Sequence, residues 1–377
     1  MHWKSDLKLG KILKPRTYTY GTLKEAEKEN LLDKVDFKVH KYNIRPRPKN
    51  KNHVVVFSCF SEFGSELVGS LYCIPGMLQS QFLGYYVVVM GWHGREYLYR
   101  HLVDEFWELK PEYHWLREYC RAYHHASRNL RRVEKAVGRN LGRVIDANYF
   151  SVITLQQIYP NIDAFKKIAC WIPTPGTEAY AAVEKFLKPN SVGVTARYRK
   201  CYGRNLQIDF YKRLLDMLQE MGYDPVWIGE PGTTYECPYS HITNFRDSVE
   251  ASDLEKTLAL VSKLQFTIQF WTASTRLAGL MGTPFIIFES PDQIYGMGHE
   301  GLRLRLCTRG KKKLVISHFY NVYNDNDGGL RLVERAISEM RENNWNDIVG
   351  MVDDQQVVQG LRSDNLVRVC GLLENGR

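Results

Sequence analysis

The chain has no run of roughly eighteen or more apolar residues, the length that a membrane-crossing helix needs. Its first sixteen residues, MHWKSDLKLGKILKPR, are basic but lack the apolar core of a secretory signal. A cytoplasmic protein is the expectation that follows. None of the eight cysteines forms a Cys-x-x-Cys pair, and no pair of histidines accompanies them at zinc spacing. Buried free thiols are therefore expected, and no metal site. There is no internal repeat and no low-complexity tract.

What is present is a globular composition, 44% hydrophobic and 25% charged, over 377 residues. That length supports two domains with sizeable cores. The formal charge is +9, and it is uneven. Residues 1–51 hold 14 Lys and Arg against 6 Asp and Glu. In 121–143, Arg128, Arg131 and Arg132 belong to a set of seven basic side chains that faces one acid, Glu134. Basic stretches favour polyanions, among them nucleic acid and nucleotide phosphates, though a solvated helix face has the same composition.

Residues 1–52 are polar, Lys- and Pro-rich and weakly periodic, and read as an arm or linker. From there the chain alternates. Val54–Cys59 is a β-branched run fit for a buried parallel strand. A turn rich in glycine, serine and acid follows at 61–67, then an apolar helix. Further strands are predicted over 85–90 and 106–109, with a helix over 97–102 and one or two helices over 112–143. The pattern restarts after Pro189-Asn190-Ser191: strands over 192–196, 224–228, 242–245, 266–270, 285–288 and 314–317, helices over 206–221 and 252–264, and a last helix over 331–343. Asp325-Asn326-Asp327 reads as turn formers. Strand, glycine turn and helix in alternation imply parallel sheets covered on both faces. The expected fold is thus α/β, with two Rossmann-like doubly wound domains facing a central cleft. Their expected spans are 53–188 and 189–320, followed by a C-terminal helix and tail at 321–377.

In such sheets ligands bind beyond the carboxyl ends of the strands, so the residues there carry the candidate chemistry. Arg197, Arg199, Lys200 and Arg204 follow the first strand of the second half. Four cations together repel unless an anion joins them, and arginine suits bidentate phosphate contacts. Trp271-Thr272-Ala273-Ser274-Thr275 connects a strand to a helix in the stretch 266–288. Hydroxyls at a helix start serve as caps, and the unpaired N–H groups with the helix dipole suit a phosphate. A diphosphate held by Thr272, Ser274 and Thr275 on one side and by arginines on the other needs no metal, and no Asp-x-Asp follows a strand. In the first half, Glu62 and Glu66 follow the first strand and His93 the second. Glu62 and Glu66 are the candidates for a general base, while either equally suits a first helical turn, and His93 is a catalytic candidate that lines the same cleft, although a lone histidine is more often structural. Arg95, with Arg128, Arg131 and Arg132, is a candidate contact for an acceptor.

The second half resembles the donor-binding domain of GT-B glycosyltransferases, with a pattern similar to lipopolysaccharide heptosyltransferases and to fucosyltransferases of the Nod-factor and protein O-fucosyl type. Three pieces carry the resemblance: the strand and Arg-bearing loop at 192–205, the helix at 252–264, and the strand, turn, helix and Gly-Thr-Pro strand at 266–288. Where those enzymes have Ser-Gly before the helix this chain has Thr272-Ala273-Ser274, and where they have a helical histidine it has Arg276. The resemblance implies a nucleoside-diphosphate sugar as co-substrate, no cofactor, no obligatory metal, and inversion at the anomeric carbon. It implies a base on the N-terminal domain and Arg276 among the donor contacts. The acceptor is open between a glycan, a lipid-linked sugar and a hydroxymethylated DNA or RNA base. Two alternatives remain: a sugar-nucleotide epimerase of the same fold, and a non-catalytic nucleic-acid-binding protein.

Overall fold

A computed structural model describes residues 39–45, 54–59, 63, 66–67, 71–80, 82–110, 148–151, 173–198, 205–270, 277–278, 280–288, 314–317, 326–342 and 349–352. The chain divides into two compact units, Met1–Ile168 and Ala169–Arg377. The division falls earlier than the Pro189-Asn190-Ser191 break, because helix Thr177–Val183 packs within the second unit. The helices expected over 112–143 lie outside the described residues.

The first unit is built on β1 (Val39–Asn43), β2 (Val54–Cys59), β3 (Tyr86–Gly91), β4 (Glu105–Leu109) and β5 (Asn148–Ser151), with helices α1 (Leu71–Ser80) and α2 (Glu96–Tyr99). The sheet order is β1-β4-β3-β2-β5. Strands β2 to β5 are parallel, and β1 runs antiparallel along β4, with Val39 opposite Leu109. Parallel strands are covered on both faces, and β2 and β3 are accordingly apolar runs, broken in β2 only by Ser58. All six residues of β3 are buried. The extent of β1 corrects the reading of 1–52 as a simple arm. VHKYN alternates polar and charged residues because it is an edge strand, with His40, Lys41 and Asn43 exposed, and so carries no apolar signal. Helix α2 is also shorter than the expected 97–102. Its chain turns away at residues 100–102 to start β4.

The second unit carries α3 (Thr177–Val183), β6 (Ser191–Thr195), α4 (Ile208–Glu220), β7 (Asp224–Trp227), β8 (Thr243–Asn244), α5 (Leu254–Lys263), β9 (Thr267–Phe270), β10 (Phe285–Phe288), β11 (Leu314–Ser317), α6 (Asn326–Glu342) and β12 (Val349–Val352). Its seven strands run in the order β12-β11-β10-β9-β6-β7-β8, all parallel. Helix α4 buries Phe210, Tyr211, Leu214, Leu215 and Leu218, one stripe at helical spacing, against the sheet. It stops at Gly222, whose φ of 83° permits a paired ending: Gly222 N–H donates to the Gln219 carbonyl and Tyr223 N–H to that of Leu218. Asp253 caps α5 by accepting from the Glu255 and Lys256 N–H groups. In β6, Gly193 sits where a Cβ would come within 2.7 Å of Ile228 and 2.9 Å of Leu264, so α5 and the sheet close over bare backbone. Helix α6 begins at Asn326 rather than near Arg331, and the expected turn at 325–327 is its first turn. Turn-forming residues also favour helix starts, and Arg213 of α4 pairs with Asp327 there. Helix α6 and β12 belong to this unit, so the expected tail at 321–377 contributes to its sheet.

Candidate functional site

Each sheet reverses its strand order once. In the first unit the chain lays down β2, β3 and β4 in one direction and β5 on the other side of β2. In the second, β6, β7 and β8 proceed one way and β9 to β12 the other. The carboxyl ends on either side of such a reversal diverge and leave a crevice, the preferred ligand position of open α/β sheets. The reversals lie between β2 and β5 and between β6 and β9.

In the second unit β6 and β9 are adjacent, with Thr195 opposite Gln269. Arg197, two residues past β6, is buried. Its guanidinium carbon lies 5.9 Å from the ring of Phe270, the last residue of β9, and its Nη1 donates to Asn205 Oδ1 at 3.4 Å. Phe270 leads directly into 271–276, and the chain is helical again at 277 and 278. The register therefore brings Arg197 and Phe270, the residue before the expected 271–276 turn, together at the reversal. Thr272, Ser274, Thr275 and Arg276 themselves, with Arg199, Lys200 and Arg204, lie outside the described residues.

A second buried arginine stands on the same edge. Arg246 follows β8, and donates from Nε to Thr234 Oγ1 at 3.0 Å and from Nη2 to the Thr234 carbonyl at 3.3 Å; Asp247 pairs with it. Thr234 bridges to Arg197 through the backbone and donates its hydroxyl to the Glu230 carbonyl. The loop can fold back this far because Gly229 has no side chain: a Cβ there would lie 2.4 Å from Thr234. Tyr198 and Tyr235 flank the bridge with ring centroids 4.6 Å apart. Neither Arg246 nor Thr234 is singled out by the sequence. The one available signal is an arginine just after a short strand, the placement that marks Arg197.

In the first unit the residues named from the sequence fall into two clusters. Glu66, between β2 and α1, is wholly buried. Its Oε1 accepts from the Tyr99 hydroxyl at 2.7 Å and its Oε2 lies 3.6 Å from Arg95 Nε. Arg95 is buried too, its guanidinium 3.5 Å over the Phe63 ring. Tyr99 stacks on Phe106 of β4, and burial, reinforced by Cys59 and Glu66, holds its phenol well above its ordinary pKa. It therefore stays a proton donor to Glu66. This cluster ties the β2 end to the β3–α2 turn. Both carboxylate oxygens face protein groups, which suits a clamp better than a base.

The second cluster centres on His93. Glycine at 94, with φ of 76°, turns the chain after β3 so that His93 Nδ1 donates to Glu108 Oε2 at 2.9 Å. The parallel register sets this up by placing Gly91 opposite Glu108. Glu108 also accepts from the Gly94 N–H at 2.7 Å and from the Tyr42 hydroxyl at 3.1 Å. The imidazole is 43% exposed and the carboxylate 5%. The bond to Glu108 raises the His93 pKa, although partial burial and Arg95 oppose it. Burial pushes the Glu108 pKa up, but the bonds from His93, Gly94 and Tyr42 outweigh it and the net shift is downward. The Tyr42 phenol is pushed up to about 12, by burial first and then by the Glu108 charge. Glu62, Arg128, Arg131 and Arg132 lie outside the described residues.

Among the described residues no group of three or more His, Cys, Asp and Glu is placed to hold a metal ion, and Cys59 and Cys237 are not in a disulfide. No helix among them is long and apolar enough to cross a membrane.

Both units are thus doubly wound α/β sheets, each with polar groups named from the sequence at the carboxyl ends of its parallel strands. No protein-family model matches the chain, and no curated protein matches it by sequence. Among solved structures, the chain is similar to a family 9 glycosyl transferase from Veillonella parvula, at 9% identity over 86% of this chain and 98% of that one, with a TM-score of 0.45. It is also similar to the ADP-heptose lipopolysaccharide heptosyltransferase II of E. coli, at 12% identity over 77% and 99%, TM-score 0.47. A third is the E. coli heptosyltransferase WaaC with ADP, at 13% identity over 76% and 99%, TM-score 0.45.

Proposed function

We propose that this chain is a glycosyltransferase that moves a sugar from a nucleoside diphosphate to an acceptor hydroxyl. The observation that carries this reading is the meeting of Arg197 and Phe270, the residue before the 271–276 stretch, at the strand-order reversal between β6 and β9. A buried arginine supplies fixed positive charge where a diphosphate leaves, and a hydroxyl-rich helix start supplies N–H donors. Charge developing on the leaving diphosphate is met by Arg197, by Thr272, Ser274 and Thr275, and by Arg276, without an obligatory metal. In-line attack from the opposite face of the sugar then inverts the anomeric centre. The first unit supplies the acceptor side. The basic excess of 1–51 and 121–143 favours an acceptor carrying negative charge, of which a modified base in DNA is one.

The test is a thermal-shift and calorimetric screen with ADP-, UDP-, GDP- and CMP-sugars. One of them is expected to stabilise the chain by about 2.7 kcal/mol at 100 times its dissociation constant, and Arg197→Ala to remove that effect. Binding by none of them sinks the reading. Isomerisation of a bound sugar nucleotide without acceptor transfers the case to an epimerase.

A further inference from the structure

Given a nucleoside-diphosphate sugar as donor, on which this inference rests, we infer that Arg246 is a positioning residue: acting through Thr234, it sets Arg197 for the diphosphate. All the residues concerned lie in the second unit. The link begins in the backbone. Tyr198 N–H donates to the Thr233 carbonyl and Tyr235 N–H to that of Ala196, both at 2.9 Å. Arg197 and Thr234 thus face each other as the non-hydrogen-bonded pair of an antiparallel bridge. In such a pair the Cα atoms approach to about 4.5 Å and the two side chains leave on the same side. Thr234 is therefore the direct neighbour of Arg197, and a shift of one displaces the other.

Arg246 decides where Thr234 sits. Its Nε donates to the Thr234 hydroxyl at 3.0 Å and its Nη2 to the Thr234 carbonyl at 3.3 Å, while Nη1 donates to Asp247. Two donors of one planar fork on two atoms of one residue fix that residue in direction as well as in distance. The hydroxyl in turn donates to the Glu230 carbonyl at 3.0 Å, and Trp227 Nε1 donates to the Tyr235 carbonyl at 3.0 Å. The turn is thereby held on both sides of the bridge. Arg246 is 6% exposed, and each of its three nitrogens is engaged within the protein, which suits a grip on the turn rather than on a ligand. A buried guanidinium is a weak source of stability, because desolvation offsets much of what its bonds return. Its directional hold on Thr234 is what an apolar side chain of similar volume lacks.

The experiment measures calorimetric binding of inorganic pyrophosphate and of the ADP-, UDP-, GDP- and CMP-sugars to the full chain, with the urea midpoint of each variant alongside. Thr234→Val keeps the shape that packs against Gly229 and removes the hydroxyl, Thr234→Ser keeps the hydroxyl, and Arg246→Lys keeps the charge and removes the fork. Thr234→Val and Arg246→Lys are each expected to raise the pyrophosphate Kd roughly 10-fold, within the coupling range of residues that share one hydrogen-bond network, and Thr234→Ser to return it to within about 2-fold of wild type. A cycle with Arg197→Ala separates positioning from general loosening. Once Arg197 is alanine, adding Arg246→Lys is expected to weaken pyrophosphate no further, whereas a loosened unit adds its full effect. A wild-type Kd in both Thr234→Val and Arg246→Lys, or strict additivity in the cycle, overturns the positioning role, while weakened binding in Arg197→Ala keeps the transfer reading intact. A wild-type chain that binds neither pyrophosphate nor any of the sugar nucleotides overturns both.

Discussion

Replacing Glu66 by Ala tests whether this carboxylate is a clamp. The side chains of Glu66 and Arg95 are 0% and 9% exposed, and Oε2 stands 3.6 Å from Nε. Two unit charges at that spacing interact by about 4–5 kcal/mol at an effective dielectric constant of about 20. Removing one partner of a buried pair costs roughly 3–5 kcal/mol, because the other charge stays out of water. The Tyr99 hydroxyl also loses its acceptor, worth about 1–3 kcal/mol, but the two losses share one relaxation and do not simply add. The first unit is therefore expected to lose about 4 kcal/mol. Native-state hydrogen exchange of the β2, β3 and β4 amides reads this unit without interference from the second. The double variant Glu66→Leu, Arg95→Met is expected to lose less than the sum of its single changes, since both charges leave together. A loss below about 1 kcal/mol, the level of an exposed ion pair, or strict additivity in the double variant, refutes the clamp.

Gly193→Ala is expected to destabilise the second unit by about 1–3 kcal/mol through overpacking, because the new methyl meets Ile228, Leu264 and Thr267 at 2.7–3.0 Å; an unchanged urea midpoint contradicts this. The His93–Glu108 pair makes stability depend on pH. A raised His93 pKa contributes fully below its unfolded value near 6.5 and is lost as pH rises through the folded value. A lowered Glu108 pKa contributes above its unfolded value near 4.5 and is lost as pH falls through the folded value. The stability difference between wild type and Glu108→Gln is therefore expected to be largest between about pH 4.5 and 6.5 and to shrink on both sides. A difference that is flat across pH excludes the ion pair as its source.

The strands that could be located from sequence are those whose burial is two-sided. Val54–Cys59 is apolar but for Ser58 and Leu314–Ser317 is apolar but for Ser317, and the predicted bounds are the observed ones. Strand β1 escaped because one neighbour and open solvent leave a strand no apolar signature. Glu108 escaped for a different reason. It reads as one polar residue in the strand EFWEL, and its meaning depends on the register that sets it opposite Gly91 and so beside His93. Arg246 and Thr234 are likewise joined by a loop that folds back only because residue 229 is glycine. Arg197 was legible because strand-end arginines need only the strand to be recognised. Glu66 was legible as a residue of interest, whereas its burial, which decides between clamp and base, depends on Tyr99 and Arg95 arriving from the next turn of chain.

The direction of β1 has a practical bearing. Because it runs against β4, Val39 lies beside Leu109, at the edge where the parallel strands finish. Val39, where the chain enters β1, thus lies on the same rim as His93 rather than at the other end of the strands. Substitutions at Val39 or Leu109 therefore perturb the same rim that carries His93, whereas changes at Asn43 or Glu105 act at the opposite end of the strands.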